Sequence, residues 1–392
     1  MYGLGSRRSI IREIFEYSKL RAMEIGRENV FDFSLGNPSV PAPKEVNEAI
    51  RELLNGDSVT LHGYTSAQGD AGVREVIADN IKRRFGIEMH RDLIYMTCGA
   101  AASLSISLSA VVEDESDEVI AIAPFFTEYR VFIENTGAKL IVSTPEENTL
   151  SINLQDIEKR ITKNTKAIIV NSPNNPSGVV YSEKKIAALA ELLKRKSEEI
   201  GRTIYLIADE PYRELVYSDV DVPYIMNYYK NTIVCYSFSK SLSLPGERIG
   251  YIAVSPSADE AKDLYLAICG AGRSLGYVCA PSMFQRVIAR AIDAKANIDA
   301  YKKNRDTLYD NLSKFGFDIV KPDGAFYLFV KSPSGDAFDF YERAKAHDVL
   351  VVPCDDFGVT GYVRIAYCTA YETVAGALPA FQALAKEYGL SK

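Results

Sequence analysis

Short apolar runs and helical spacings alternate through the middle of the chain. The runs are rich in β-branched residues, which favour strands, and the stretches between them repeat apolar residues at helical intervals. Most runs are apolar on both faces, as in a mostly parallel sheet covered by helices, although the last run is open to antiparallel pairing. The pattern predicts an α/β fold whose seven strands lie at 93–97, 119–123, 140–143, 167–171, 204–208, 233–236 and 249–254.

The flanking segments predict a second, smaller unit. Residues 7–27 have helical spacing near the N-terminus. After the sheet, a long helical pattern at 282–315 precedes strand patterns at 326–330 and 363–366 and a helix that begins at Tyr371. We therefore expect a large domain that contains the mostly parallel seven-stranded sheet, and a smaller α+β domain. Residues 1–48 are predicted to be an N-terminal segment that belongs to the small domain. Residues 49–282 are predicted to form the large domain, and residues 283–392 the C-terminal small domain.

Composition narrows the class of protein. A chain of 392 residues with 47% apolar residues can fill two cores. The formal net charge is −7, and the basic residues are scattered, which argues against a nucleic-acid partner. No apolar stretch reaches the length of a membrane span, and no secretory signal is present, so we expect a cytoplasmic protein. The six cysteines stand singly, without the spacing of a metal site, and are expected to be small buried residues.

The strongest chemical signal follows the sixth predicted strand. The segment Ser237-Phe238-Ser239-Lys240 comes directly after it, and Arg248 follows eight residues after the lysine. A desolvated lysine beside other cations loses part of its charge and forms a Schiff base, while an arginine can also neutralise a phosphate. The segment predicts Lys240 as the imine-forming residue. An isolated S-x-x-K is more often an ordinary surface lysine, so this interpretation depends on the other motifs.

An acidic residue and an aromatic hydroxyl follow the fifth predicted strand. Asp209 could keep a pyridine nitrogen protonated and so make the ring an electron sink. Tyr212, three residues later, could hydrogen-bond a phenolic oxygen. A carboxylate at the end of a strand is also a common helix N-cap, so neither residue is a strong signal alone.

Two loops complete the set of motifs. The segment N-S-P-N-N-P-S-G at 171–178 contains two X-Pro bonds, either of which could be cis, and offers Asn175 as an amide donor. By propensity alone it is a turn. The small residues Gly99, Ala100 and Ala101 precede a helix, where backbone amides could approach a phosphate.

In this order the segments resemble the pyridoxal-phosphate-dependent aminotransferases related to aspartate aminotransferase, across nearly the whole chain. The resemblance implies that Lys240 carries pyridoxal 5′-phosphate (PLP) and moves the substrate's α-proton. It implies that Asp209 holds the pyridine nitrogen and that Asn175 and Tyr212 contact the ring oxygen. The phosphate contacts that it implies come from Gly99, Ala100, Ala101, Ser237, Ser239 and Arg248.

The resemblance also assigns substrate and subunit contacts. Phe126 falls at the position of the aromatic residue that stacks on the cofactor ring. Arg364 would grip the substrate's α-carboxylate, aided by the backbone near Gly36; from composition alone it could be an exposed strand arginine. Tyr64 would reach the phosphate of a neighbouring subunit, which implies a homodimer with shared active sites. Arg273 is a candidate reader of an acidic substrate side chain, and a surface arginine is an equal alternative.

Four departures from the family pattern stand out. Ser172 replaces the first asparagine of the N-P-x-N-P-[ST]-G loop, and Phe126 replaces a tyrosine. Cys354 stands where a glycine is usual, so a glycine-dependent turn could be altered there. Ala100 and Ala101 offer the phosphate turn no side-chain donors, so its backbone amides must supply more of the phosphate contacts.

The expected activity is transfer of an amino group from an L-amino acid, of the aspartate or glutamate type, to a 2-oxo acid in ping-pong order. A PLP-dependent carbon–sulfur β-lyase is the alternative, since the same cofactor residues serve both reactions. A non-catalytic PLP-sensing protein is a weaker alternative. Such proteins usually carry a DNA-binding module, and this chain begins with the family's N-terminal helix.

Overall fold

The computed structural model describes residues 2–6, 10–217 and 220–390, and a seven-stranded sheet lies at its centre. The strands of the described residues are β1 Phe31–Asp32, β2 Ile94–Thr97, β3 Glu118–Ile122, β4 Lys139–Ser143, β5 Thr165–Asn171, β6 Tyr205–Asp209, β7 Thr232–Ser237, β8 Gly250–Val254, β9 Asp318–Val320, β10 Tyr327–Lys331, β11 Val349–Leu350, β12 Val352–Pro353 and β13 Tyr362–Ala366. The α-helices of the same residues are α1 Tyr2–Ser6, α2 Ile10–Ile25, α3 Lys44–Leu54, α4 Ser58–His62, α5 Ala71–Phe85, α6 Ala100–Val111, α7 Glu128–Glu134, α8 Leu154–Arg160, α9 Glu183–Ile200, α10 Phe238–Ser241, α11 Ala261–Ser274, α12 Ser282–Ala291, α13 Asp299–Lys314, α14 Ala337–Ala346 and α15 Tyr371–Glu387.

The large sheet confirms the predicted α/β fold. Its order is β2-β8-β7-β6-β5-β3-β4, and each predicted strand lies within two residues of an observed one. Only β8 runs antiparallel to its neighbours, as the pattern allowed. Successive residues of β5 enter two different cores, with Ile168 and Val170 on one face and Ala167 and Ile169 on the other. Burial on both faces explains why these runs are apolar throughout.

Helix α9 shows how the sequence fixes a covering element. Ile186, Leu189 and Leu193 recur at helical spacing and are buried against the sheet. The Ser182 hydroxyl accepts a hydrogen bond from the Lys185 N–H at the N-terminus, and Gly201 ends the helix at φ +65°. Burial of each such aliphatic side chain contributes about 1.5–3 kcal/mol.

The smaller unit is built on an antiparallel sheet of order β12-β13-β10-β9. The N-terminal segment pairs with this unit, because β1 runs parallel to β11 with Phe31 opposite Val349. Arg21 of α2 also forms a 2.7 Å ion pair with Asp348. These contacts support the predicted division of the chain, which we retain as a proposal.

The continuous helix predicted over 282–315 is wrong. The chain forms α12 and α13, separated by residues 292–298. In the break, the Ala296 N–H donates to the Ser241 carbonyl at 3.2 Å, and the Asn297 side chain accepts from the Asp299 N–H at 3.0 Å. The break therefore depends on a long-range contact and a local cap, which helical periodicity does not reveal.

The predicted N-terminal helix over 7–27 corresponds to α2, and residues 7–9 lie outside the described residues. The C-terminal helix begins at Tyr371 as predicted. Among the described helices, none combines the length and the apolar character that a membrane crossing requires.

Candidate active site

Most of the predicted site residues converge on one pocket of about 370 Å³. It lies where the carboxyl ends of β5, β6 and β7 meet the beginning of α6 and loops of the smaller unit, as expected for an open α/β sheet. The predicted residues that line it are Gly36, Ala100, Ala101, Phe126, Asn175, Asp209, Tyr212, Ser237, Ser239, Lys240, Arg248 and Arg364. A larger groove of about 730 Å³ lies along α9 and is lined by none of these residues.

Lys240 lines the pocket and is held there by the N-terminal segment. Its side-chain nitrogen donates a hydrogen bond to the Gly36 carbonyl at 2.7 Å. Burial lowers the pKa of Lys240 to about 8, and the nearby Arg248 and Arg364 guanidinium groups act in the same direction. A substantial fraction of the amine is therefore neutral, and hence nucleophilic, in mildly alkaline solution.

One end of the pocket is built to bind an anion. Gly99, at φ +86°, precedes α6, whose first residues Ala100 and Ala101 present backbone N–H groups at the positive end of the helix. A Cβ at Gly99 would lie 2.8 Å from Nη2 of Arg248, so glycine leaves room for the guanidinium. Arg248 itself adopts the uncommon φ of +52°, and its Nη1 donates to the Ser239 hydroxyl at 3.4 Å. This geometry is compatible with the prediction that backbone amides at this turn contact a phosphate.

The pocket also holds a carboxylate with one oxygen that has no hydrogen-bond partner. Asp209 is buried, and its Oδ2 accepts a hydrogen bond from the Tyr129 hydroxyl at 2.5 Å. Its Oδ1 is buried without a hydrogen-bond partner. Desolvation raises the pKa of Asp209 to about 7, although the Tyr129 bond opposes the shift. A cationic N–H at Oδ1 would satisfy this oxygen and restore the carboxylate's charge.

Arg364 and Asn175 form a second binding corner. Arg364 is only 2% exposed, which excludes the alternative of an exposed strand arginine. Its Nη1 donates to Oδ1 of Asn175 at 3.2 Å, and its Nη2 donates to the Ser34 carbonyl at 2.8 Å. Its Nε is buried without a partner, and the ion pairs among the described residues do not include Arg364. A buried guanidinium without a counter-charge is suited to bind a carboxylate, and Asn175 retains its amide N–H groups as donors.

The departures from the family pattern are accommodated locally. Cys354 has φ −118°, so its turn does not need glycine. The Ser172 hydroxyl accepts a hydrogen bond from the Tyr181 N–H at 3.0 Å. The peptide bonds before Pro173 and Pro176 are both cis. Of the six free cysteines, three are buried as predicted, whereas Cys98, Cys269 and Cys279 are only half-buried.

Tyr64 and Arg273 do not line this chain's pocket. Tyr64 is 98% exposed, and Arg273 is exposed beside a separate hollow. Their segments are neighbours, because the Cys279 thiol donates to the Thr65 carbonyl at 3.2 Å. The roles predicted for both residues therefore require a second copy of the chain and stay predictions.

Several groups in and beside the pocket were not predicted from the sequence, among them Tyr129, Tyr327, Ile11 and Arg12. Tyr129 binds Asp209, and the Tyr327 hydroxyl lies 3.0 Å from that of Tyr212. Ile11 and Arg12 of α2 line the mouth of the pocket. Tyr129 lies one helical turn after Phe126 and could have been considered for that reason. The remaining three lie far from the motifs in sequence, and local pattern carries no signal for them.

Fold and pocket together define an α/β protein whose central sheet is covered on both faces and whose pocket holds a lysine of lowered pKa, the beginning of α6 and a buried arginine without a counter-charge. The family model described as "Aminotransferase class I and II" matches residues 28–380, so the chain belongs to this family, whose enzymes use PLP.

Individual relatives support the assignment. A "Probable aspartate aminotransferase" of Methanocaldococcus jannaschii is 31% identical and covers 94% of this chain and 95% of its own. An "Aromatic-amino-acid aminotransferase 2" of Thermococcus litoralis is 28% identical, with 97% and 96% covered. The crystal structure of an aminotransferase from Eubacterium rectale is 53% identical and superposes with a TM-score of 0.97, covering 99% and 98% of the two chains. This chain is therefore an aminotransferase with the architecture of its relatives.

The pocket also fits PLP on its own geometry. The unpaired Oδ1 of Asp209 suits the N–H of a protonated pyridine ring. The beginning of α6 and Arg248 suit a phosphate, for which the close approach at Gly99 leaves room. Lys240 supplies the amine that reacts with an aldehyde.

Proposed function

We propose that the protein transfers the amino group of an acidic L-amino acid, of the aspartate or glutamate type, to a 2-oxo acid by a ping-pong mechanism. The observation that carries the proposal is the placement of Lys240. Its amine, with a lowered pKa, lies in one pocket with the anion-binding beginning of α6, the unpaired oxygen of Asp209 and the buried Arg364.

In this proposal each group has one role toward PLP. Ser237, Ser239, Arg248 and the amides that follow Gly99 bind the phosphate, and Phe126 packs on the ring. Asp209 hydrogen-bonds the pyridine nitrogen and keeps it protonated, and Asn175 and Tyr212 bind the ring oxygen. When bound, PLP withdraws electrons from the substrate's α-carbon and makes its proton acidic.

The residues around Lys240 then control the proton transfer. Arg364 binds the substrate's α-carboxylate bidentately and so fixes the α-carbon near Lys240. The neutral Lys240 amine would take the α-proton as a base and then give it up as an acid. A pKa of about 8 keeps both protonation states accessible near neutrality, with the charged form in excess.

The preference for an acidic side chain is supported by cations beyond Arg364. Arg12 lines the pocket, is exposed, and has no ion pair among the described residues. Arg273 would add a second cation from a neighbouring subunit. One relative's name specifies aspartate and another's specifies aromatic amino acids, so family membership alone does not decide the substrate.

A homodimer with shared active sites is part of the proposal. Tyr64 and Arg273 lie on one surface, which also exposes Val59, Tyr277 and Val278. Apolar side chains clustered on a surface are typical of a protein interface. A second copy seated there would bring Tyr64 to a pocket that it does not reach within its own chain. The free state of all six cysteines is consistent with a cytoplasmic location.

The test is an assay of the purified protein loaded with PLP. With L-aspartate and 2-oxoglutarate we expect formation of oxaloacetate and glutamate, and a change in cofactor absorbance with aspartate that 2-oxoglutarate reverses. Lys240→Ala is the inactive control. Steady release of pyruvate from a cysteine conjugate without a 2-oxo acid would instead identify a β-lyase. Failure to bind PLP would overturn the proposal entirely.

A further inference from the structure

Two tyrosine hydroxyls meet at one wall of the pocket. The hydroxyl oxygens of Tyr212 and Tyr327 are 3.0 Å apart, and the residues are only 6% and 3% exposed. Tyr212 follows β6 of the large sheet, whereas Tyr327 begins β10 of the small sheet. Among the described residues, neither hydroxyl has another hydrogen-bond partner. The pair is therefore an isolated bond between the two sheet units, and both residues line the pocket.

The pair leaves one proton uncommitted. Two hydroxyls carry two protons, and the hydrogen bond between them uses one. The hydroxyl that accepts this bond keeps a proton that no other described side chain or backbone carbonyl accepts. The acceptor that remains for it is water or a ligand in the pocket.

The surroundings decide which hydroxyl donates. The Arg364 guanidinium lies 4.7 Å from the centre of the Tyr327 ring, so its charge favours loss of the Tyr327 proton. Burial raises the pKa of Tyr327 to about 12 and raises the pKa of Tyr212 well above its usual value, and Arg364 opposes both shifts. The more acidic hydroxyl is the better donor. Either oxygen could donate in this bond, and the Arg364 charge against the Tyr327 ring favours Tyr327 as the donor and Tyr212 as the acceptor.

The Tyr327 hydroxyl has little freedom to turn elsewhere. A Cβ at Gly36 would lie only 2.1 Å from it, so the N-terminal segment fits closely around this oxygen. The rings of Tyr327 and Phe326 pack edge to face at 5.0 Å. The hydroxyl is thus enclosed by the loop at Gly36 on one side and by Tyr212 on another.

We infer that Tyr327 is a positioning residue for Tyr212. By donating to the Tyr212 oxygen, it directs the Tyr212 proton into the pocket, toward the anionic ring oxygen of the bound cofactor. The inference rests on the proposed roles of Lys240 and Tyr212, and it adds a residue of the small sheet to the groups that control the cofactor.

The first test is Tyr327→Phe, which removes the hydroxyl and keeps the ring beside Arg364. The readout is the pH at which the absorbance of the lysine-bound cofactor changes. A hydrogen bond donated to the ring oxygen makes that oxygen a weaker base. Misalignment of the Tyr212 hydroxyl should therefore raise the midpoint pH of the absorbance change by about one pH unit. The titratable and charged groups near the pair among the described residues include Asp209, Arg364, Lys240 and the Cys368 thiol, and all four remain in the variant.

The matched control is Tyr217→Phe. Tyr217 is also a buried tyrosine near the junction of the two units, and its hydroxyl bonds to the Ala325 carbonyl outside the pocket. This variant loses a buried hydrogen bond without touching Tyr212, so we expect an unchanged midpoint. An equal shift in both variants would show a general structural effect and would overturn the inference.

A double-mutant cycle separates positioning from direct contact. Tyr212→Phe should raise the midpoint at least as far as Tyr327→Phe, and the double variant should resemble Tyr212→Phe alone. A further shift on adding Tyr327→Phe would overturn the inference, because Tyr327 would then act without Tyr212. Thermal unfolding of the cofactor-free proteins should show the same non-additivity, which gives a readout independent of PLP. If wild-type protein never develops the lysine-bound absorbance, the proposed function fails instead.

Discussion

The side-chain nitrogen of Lys240 donates to the carbonyl oxygen of Gly36 across 2.7 Å. This bond joins the end of the large sheet to the N-terminal segment, over 204 residues of sequence. The same lysine is the group that we propose bonds to the cofactor. Attachment therefore requires Lys240 to change partners, and the loop at Gly36 then loses one of its anchors.

The first prediction concerns the pH at which PLP attaches. Because the pKa of Lys240 is lowered to about 8 from the ordinary 10.5, the attachment rate should rise steeply as the pH passes about 8. Mixing cofactor-free protein with PLP at a series of pH values, and following absorbance, measures this. Lys240→Ala should give no lysine-bound signal at any pH. A rate that rises only near the pKa of free lysine would contradict the predicted environment.

The second prediction concerns stability without cofactor. The pKa of Asp209 is raised from 3.8 to about 7 by burial, so the folded state binds this proton more tightly than the unfolded state. The resulting stabilisation is complete below pH 3.8 and is lost as the pH rises through about 7. The Asp209→Asn variant has no carboxyl at this position, so it does not lose this stabilisation as the pH rises. Above pH 7 it should exceed wild type in free energy of unfolding by on the order of 4 kcal/mol at most.

The measurement for Asp209 is urea unfolding of both cofactor-free proteins across this pH range. The difference in free energy of unfolding between the two proteins should shrink toward acid pH. A difference that does not depend on pH would show that Asp209 is not the titrating group. The variant should also lose most of its transaminase activity, because a neutral amide does not keep a pyridine nitrogen protonated.

The third prediction concerns the anion-binding turn. Gly99→Ala should weaken PLP binding by tenfold or more, since its Cβ would lie 2.8 Å from Arg248 and its φ is +86°. Gly86→Ala is a matched control, because Gly86 also has positive φ, at +72°, but has no atom within 4 Å of its added Cβ. Titration of cofactor-free protein with PLP gives the affinities. Equal affinities in the two variants would argue against an anion site at this turn.

The fourth prediction concerns substrate choice. Arg12→Gln should raise KM for aspartate by about tenfold and leave KM for alanine nearly unchanged, because a single charge-assisted hydrogen bond contributes on the order of 1.5 kcal/mol. Arg273→Gln should act similarly if a second subunit supplies Arg273. Arg27→Gln, which removes an exposed arginine of the same N-terminal region outside the pocket, is the control. If neither Arg12→Gln nor Arg273→Gln changes the aspartate preference, acidic side chains are recognised elsewhere or not at all.

The sequence predicts the strands of the large sheet well, because their apolar runs reflect burial on both faces. It also predicts Lys240, Asp209 and Asn175, each of which follows a strand within a recognisable motif. It does not predict Tyr327 or Arg12, whose positions depend on how the smaller unit and α2 fold against the large sheet. The break between α12 and α13 escapes prediction for the same reason. Long-range contacts decide these features, and local periodicity does not record them.

The position of Arg12 at the pocket mouth has a practical consequence for handling the protein. Arg12 lies in the first turn of α2, so a purification tag placed shortly before this helix would lie close to the entrance for substrates. A histidine-rich tag could compete for anionic substrates or hinder their entry. Kinetic comparisons should therefore use a tag at the other terminus, or one removed by protease before assay.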